Sequence, residues 1–290
     1  MNRYLDPTND ISFLKLFGTE EHKPLLISFL NSALQLEGDR KIKQVALLPK
    51  SQAPLIKDAN STVLDINCTD ERNFQYIVEL QNKSVPNFIK GTQFYAAHSY
   101  VTQLAAGSSY VELKPVILLA ITNHILFPNK DGNKVISYYK TQDTETQSNE
   151  LEDLSYAFVE LPKFKKKASE LKTVQDQWLY FFKNWEKAQT APSNAKEEVI
   201  EAYRSMEEYN WSKEEKDAYV KASIALTDKY DALRKEREDG IAIGEERGKV
   251  SEKKQIALQM LQEGLDIAMI SRMTGLKRED IEVLGASRNQ

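Results

Sequence analysis

One cysteine, Cys68, and three scattered histidines, His22, His98 and His124, are all that this chain of 290 residues offers to thiolate or imidazole chemistry. A lone cysteine closes no internal disulfide and fits a reducing cytoplasm. The histidines have no zinc-ligand spacing, so they are read as structural or surface residues. Long apolar runs are missing too: the strongest, VILLAI at 116–121, falls far short of the ~20 residues a membrane helix needs. The opening MNRYLDPTND lacks the apolar region of a secretory signal, and the expectation is a cytoplasmic protein with no membrane partner. Positive charge is not in excess. With 39 Lys and Arg against 43 Asp and Glu the net charge is −4, which excludes a generally basic coat and leaves phosphate contacts to local patches. No glycine-rich phosphate loop and no Gly-x-Ser-x-Gly elbow occurs. The 41% hydrophobic and 28% charged residues are ordinary for a soluble protein long enough for one sizeable core with appendages, or two domains.

What is present is a patterned pair of segments, VLDIN at 63–67 and FQYIVELQNK at 74–83, which reads as a β-hairpin. Side chains alternate across a strand, so Asp65 shares a side with Val63 and Asn67, while Glu79, Gln81 and Lys83 share a side of the second strand. Thr69 to Asn73 are turn formers, and a loop of four or five residues there sets Asp65 opposite residue 78 or 79. Directly paired acids stand about 5 Å apart at Cβ. Like charges that close repel, and a divalent cation offsets the repulsion. Hard ions such as Mg²⁺ take carboxylate oxygens, substrate phosphate oxygens and water, and a bound ion lowers the pKa of a water and stabilises charge growing on phosphorus.

An Asp followed, about a dozen residues on, by an acid-x-Lys strand resembles the core of the PD-(D/E)xK nucleases, with Glu79-Leu80-Gln81 at the acid-x-Lys position. The flanks narrow the likeness. PTNDISFLKLFG at 7–18 is similar to the opening of the PD-(D/E)xK nuclease family transposases, or recombination-promoting nucleases. Tyr95, Tyr100, Gln103, Gly107, Tyr110, the ELKPV string at 112–116 and ELPKF at 160–164 match that family's next helix and strands, and the likeness runs over residues 5 to 240. Two positions depart from it. Leu14 replaces one of the paired lysines of the opening, leaving Lys15, and Gln81 replaces the core lysine that helps hold water and stabilise the transition state.

The resemblance implies a restriction-endonuclease-like α/β fold, a mixed sheet flanked by helices. It also implies a Mg²⁺-dependent endonuclease, with Mn²⁺ as a substitute, that hydrolyses DNA phosphodiester bonds in recombination or mobile-element traffic. Asp65 and Glu79 would hold the metal. Gln81 would position water but supply no charge, leaving Lys83, or Lys15, to offset charge on the scissile phosphate. Either Asn9 or Asp10 caps the first helix, or, as the resemblance implies, Asp10 is a further metal ligand, as an acid on the first helix often is in such nucleases. Lys15 is expected on backbone phosphates. Two other classes stay open: a nuclease fold that has lost catalysis and binds DNA or a partner, and a toxin or phage-defence nuclease restrained by its tail or an inhibitory partner.

Along the chain, residues 10–17 read as a helix stopped by Gly18, and Pro24 opens a second helix to about Leu36. Strands follow at 44–48 and 62–68 and around Glu79. A helix over 87–106, a buried strand at 116–121 and strands at 135–140 and 155–162 complete a mixed sheet with helices on both faces. Residues 1–166 are taken as this core. Residues 167–232 read as a helical subdomain whose Trp178, Trp185, Tyr203 and Trp211 are core side chains rather than a ligand cage. Residues 233–255 are charged, with Gly240, Gly244 and Gly248 spaced by four, and read as a partly mobile helix or linker. Residues 256–290 resemble a helix-turn-helix with turns at Gly264 and Thr274-Gly275. Residues 252–290 hold six basic and six acidic residues, so self-association or another protein contact is preferred over DNA for this tail. Lys163, Lys165, Lys166 and Lys167, like Arg40, Lys41 and Lys43, are read as solvated patches.

Overall fold

The structure, a computed structural model, describes residues 3–48, 66–105, 107–128 and 134–286. Helix α1 (Asp10–Phe17) starts where the Asn9 side chain accepts from the Ile11 amide at 2.9 Å and stops at Gly18. A Cβ at Gly18 would stand 2.8 Å from the Leu14 carbonyl and 3.3 Å from the Ile66 side chain, so the stop is also a close approach. Leu14, in place of a lysine, packs on the core. Helix α2 (Lys23–Ala33) carries Pro24 in its first turn.

Six strands follow: β1 (Val45–Leu47), β2 (Ile66–Asp70), β3 (Gln75–Gln81), β4 (Val116–Thr122), β5 (Ile136–Lys140) and β6 (Leu154–Glu160). Helix α3 (Phe88–Val101) joins β3 to β4. Their order is β1-β2-β3-β4-β6-β5, with β3, β4 and β6 parallel and the outer pairings antiparallel. VILLAI is the heart of this sheet, and its continuous apolar run follows from burial on both faces. One face carries Ile66, Cys68, Val78, Leu119 and Val159 against α1 and α2, together with α4 (Val174–Asn184) and α5 (Glu197–Met206). The other carries Ile77, Leu118, Ala120 and Phe158 against Ala96 of α3.

Residues 167–224 close no core of their own. Trp178 and Phe182 of α4 meet Phe17 of α1 and Phe29 of α2 at ring separations of 5.5 to 6.2 Å, and Tyr203 of α5 stacks edge-on with Phe181 at 4.9 Å. Such pairs add about 0.5–1.5 kcal/mol each beyond area burial. Trp178, Tyr203 and Trp211 are core side chains, as their helical spacing suggests, whereas Trp185 is only half-buried and Tyr209 is exposed.

The chain divides into two compact units, Met1–Ile224 and Ala225–Gln290. Gly240, Gly244 and Gly248 lie inside one continuous helix, α6 (Lys213–Gln262), rather than in a linker. Each glycine costs roughly 1 kcal/mol against alanine, and charged pairs such as Arg234 with Asp231 and Glu238 act the other way. In the second unit α7 (Ile267–Thr274) is capped by the Asp266 side chain and ends at Gly275 with φ +70°, before α8 (Arg278–Ala286). Ala257, Ile270 and Ile281 are its fully buried centre. No helix among the described residues is long and apolar enough to cross a membrane.

Candidate functional site

Asp70 builds the hairpin's turn. Its carboxylate accepts from the Arg72 and Phe74 amides, both at 2.9 Å, from the Arg72 guanidinium and from the Tyr76 hydroxyl. Thr69 and Asp70 therefore stay in β2, and the turn is shorter than their turn-forming character suggests. Pairing runs Ile66↔Val78, Asn67↔Ile77 and Cys68↔Tyr76. Asp65, the first acid of the sequence motif, lies outside the described residues. Burial and the nearby Asp70 push the Cys68 thiol up to about 12, so it is no nucleophile near neutral pH.

Glu79 is the next residue of β3 beyond Val78. It is 2% exposed, on the face that carries Ile77, Ala120 and Phe158. A buried carboxylate there is costly unless charge or hydrogen bonds offset it. Gln81 lies two residues on, at the end of the strand, and its amide donates to the Lys83 carbonyl at 2.9 Å. The ladder ends at Gln81, so the alternation that placed Lys83 beside Glu79 and Gln81 does not extend to it. Lys83 is exposed beyond the strand.

Sequence reasoning missed Asn82. Its amide donates to the Thr8 carbonyl at 2.5 Å, which ties the end of β3 to the opening segment. Its Oδ1 is buried and has no hydrogen-bond partner among the described residues. Thr8 and Asn9 of the opening motif are buried and structural: Asp6 accepts from the Thr8 amide and hydroxyl, and Asn9 caps α1. Asp10 is exposed in the first turn. Lys15 stands elsewhere on α1, in an ion pair with Glu215 at 2.5 Å and over the Trp211 ring at 4.6 Å.

A further acid shares the Gln81 face. The register Gln81↔Thr122↔Glu160 places Glu160 two strands away, fully buried. It is already used: one oxygen accepts from the Leu126 and Phe127 amides at 2.7 and 3.0 Å, and the other meets Lys163 Nζ at 2.6 Å. Lys163, read from sequence as part of a solvated patch, is buried in this pair. The signal for it was an acid and a lysine three apart around the apolar Leu161-Pro162. Beside it, burial pushes His124 below the usual imidazole range, against the pull of Glu160. Among the described residues no group of three His, Cys, Asp or Glu is close enough to hold a metal ion.

The model of the PD-(D/E)XK nuclease family transposases matches residues 7–236, the sheet with its flanking helices and the opening motif. The chain belongs to that family. A second model, the C-terminal HTH domain of the Rpn/YhgA-like nuclease family, matches residues 251–285, which hold the end of α6 with α7 and α8. No curated protein and no solved structure matches the chain. For this family member the mixed six-stranded sheet and the helix-turn-helix tail agree with the sequence expectation.

Proposed function

We propose that this transposase-family chain is a divalent-metal-dependent endodeoxyribonuclease acting at the end of β3. The observation that carries the reading is the buried Glu79 carboxylate on the Gln81 face of β3, at the strand end that Asn82 ties to Thr8 of the opening segment. The donor set is made of hard oxygens, and Asn82 Oδ1 is buried without a protein partner among the described residues. It therefore suits Mg²⁺ or Mn²⁺ rather than zinc. Asp65 and Glu79 would hold the ion, with Asp10 as a further oxygen ligand. When bound, the ion supplies a Lewis acid for a phosphoryl oxygen and a water of lowered pKa.

The residues of the chain do the rest. Gln81, oriented by its bond to the Lys83 carbonyl, presents its amide oxygen to an attacking water. The water oxygen bonds to phosphorus as the bond to the leaving DNA oxygen breaks, the water gives up a proton to solvent and the leaving oxygen takes one up from it, and charge collects on the phosphoryl oxygens. Lys83 is the cation assigned to that charge. DNA is the substrate and partner in this reading.

Plasmid cleavage with Mg²⁺ or Mn²⁺ tests it. Wild type cuts, Asp65→Ala and Glu79→Gln do not, and Lys83→Ala cuts about 10² to 10³ times more slowly, as loss of one well-placed electrostatic donor does. A second reading rests on Gln81 itself, because an amide brings no positive charge where the nuclease class has lysine. Should neither wild type nor Gln81→Lys cut any DNA, the chain is a binding protein on a nuclease fold. A restrained toxin or defence nuclease would instead show itself as arrested growth on expression.

A further inference from the structure

Glu215, Tyr219 and Ser223 recur every four residues at the start of α6 and so form one stripe of that helix. All three meet the opening segment. The Tyr219 hydroxyl accepts from the Asp6 amide at 3.2 Å, Ser223 Oγ accepts from Asn9 Nδ2 at 3.0 Å, and Glu215 pairs with Lys15 at 2.5 Å. Lys15 also lies 4.6 Å over the face of Trp211, whose own N–H is fixed to the Ser205 carbonyl at 2.7 Å. The Lys15 carbonyl is held in turn by His22 Nδ1 at 2.6 Å. Only 24% of the Lys15 side chain is exposed, which suits a cation spent inside the fold. A lysine that meets DNA needs a free ammonium, and this one would have to leave both its carboxylate and its ring.

We propose that Lys15 is a positioning residue. It locks α1, and with it Asp10 and the Thr8 contact to β3, onto the first turns of α6, and it does not bind phosphate. The opening segment is then clamped from two sides, by Asn82 at the strand and by the α6 stripe at the helix. This deepens the nuclease reading and rests on it for its effect on rate, though not for its geometry.

The test uses the full chain as Lys15→Met, Glu215→Gln, the double variant and Lys15→Arg, with cleavage measured well below the melting temperature. Each single variant lowers the rate at saturating DNA about 10- to 100-fold, the range produced by displacing reacting groups by about 1 Å. The double variant is no worse than either single one, and Lys15→Arg recovers most of the rate. KM and the salt dependence of DNA binding stay as in wild type. A phosphate contact gives the opposite pattern: Lys15→Met alone weakens binding and lowers the slope of log K against log salt by about 0.9, while Glu215→Gln does not. That pattern overturns the proposal, and so does an unchanged rate in both single variants, which leaves only a structural contact. If wild type cuts nothing, the nuclease reading fails separately. The clamp then stands if the melting-temperature losses are non-additive and the slope is unchanged, and falls if they add or the slope drops.

Discussion

Asp6 and Asp176 are two low-exposure carboxylates whose folded environments act in opposite directions. Burial holds Asp6 above the usual carboxylate range, in spite of the two hydrogen bonds from Thr8. Burial also raises Asp176, but the Lys166 ammonium at 2.6 Å and the Lys172 and Thr173 amides outweigh it and leave Asp176 below that range. A raised folded pKa means stability that is complete below the unfolded value, about 3.9, and is lost as pH rises through the folded value. A depressed one means stability present above about 3.9 and lost as pH falls through the folded value. Asp6→Asn is therefore expected to raise the melting temperature at pH 8, and Asp176→Asn to lower it. The Asp6 difference shrinks toward zero below the unfolded value of about 3.9, and the Asp176 difference only as pH falls through that group's lower folded value. Melting curves over pH 3 to 8 check the two signs. Single residues were legible where the physics is local: a cap at Asn9 or Asp10, of which the structure uses Asn9, and Gly18 as a stop needed only their neighbours. Lys15 was not, because Glu215 lies 200 positions away. Nor was Asn82, whose partner Thr8 is 74 positions distant.

Elements were easier to read than their edges. The unbroken VILLAI run reports a strand buried on both faces, which is written in the residues themselves, whereas the alternation around Glu79 does not, because β3 is buried on both faces with Glu79 inside. Edges depend on what the flanking side chains bind. Asp70 extends β2 by taking over the turn's amides, and β3 stops before Lys83. At the end of β6, Glu160 and Lys163 hold the segment that follows β4 through the Leu126 and Phe127 amides and the Phe127 carbonyl. Lys163→Met leaves a fully buried carboxylate without its cation, and breaking such a pair costs about 3–5 kcal/mol. The double variant Glu160→Gln with Lys163→Met removes both charges and recovers much of that loss. Urea midpoints of wild type and these two variants test this. Equal midpoints for single and double variants would mean that the backbone amides alone hold Glu160.

The whole molecule combines a nuclease-family unit with a helix-turn-helix tail, and the two differ in how their function can be read. In the first unit the proposed chemistry rests on the buried Glu79 carboxylate. In the tail the deciding quantity is surface charge. Lys277, just before α8, and Arg278 at its start stand together with Glu279, Asp280 and Glu282, and residues 252–290 balance to zero. A helix with that balance gains little from counterion release on DNA, whose slope grows by about 0.9 for each phosphate neutralised. Met269, Met273 and Val283 are meanwhile 45%, 60% and 64% exposed around the small apolar centre, and the two methionines are the adaptable kind of side chain that suits protein contact. The expected outcome in the full chain is that Lys277→Glu with Arg278→Glu changes the salt slope of DNA binding by less than about one unit. Met273→Asp is expected to lower the mass seen by light scattering. A fall in slope of about two units, with the mass unchanged in Met273→Asp, would assign the tail to DNA. The nuclease unit would then share its hold on the duplex with the helix-turn-helix.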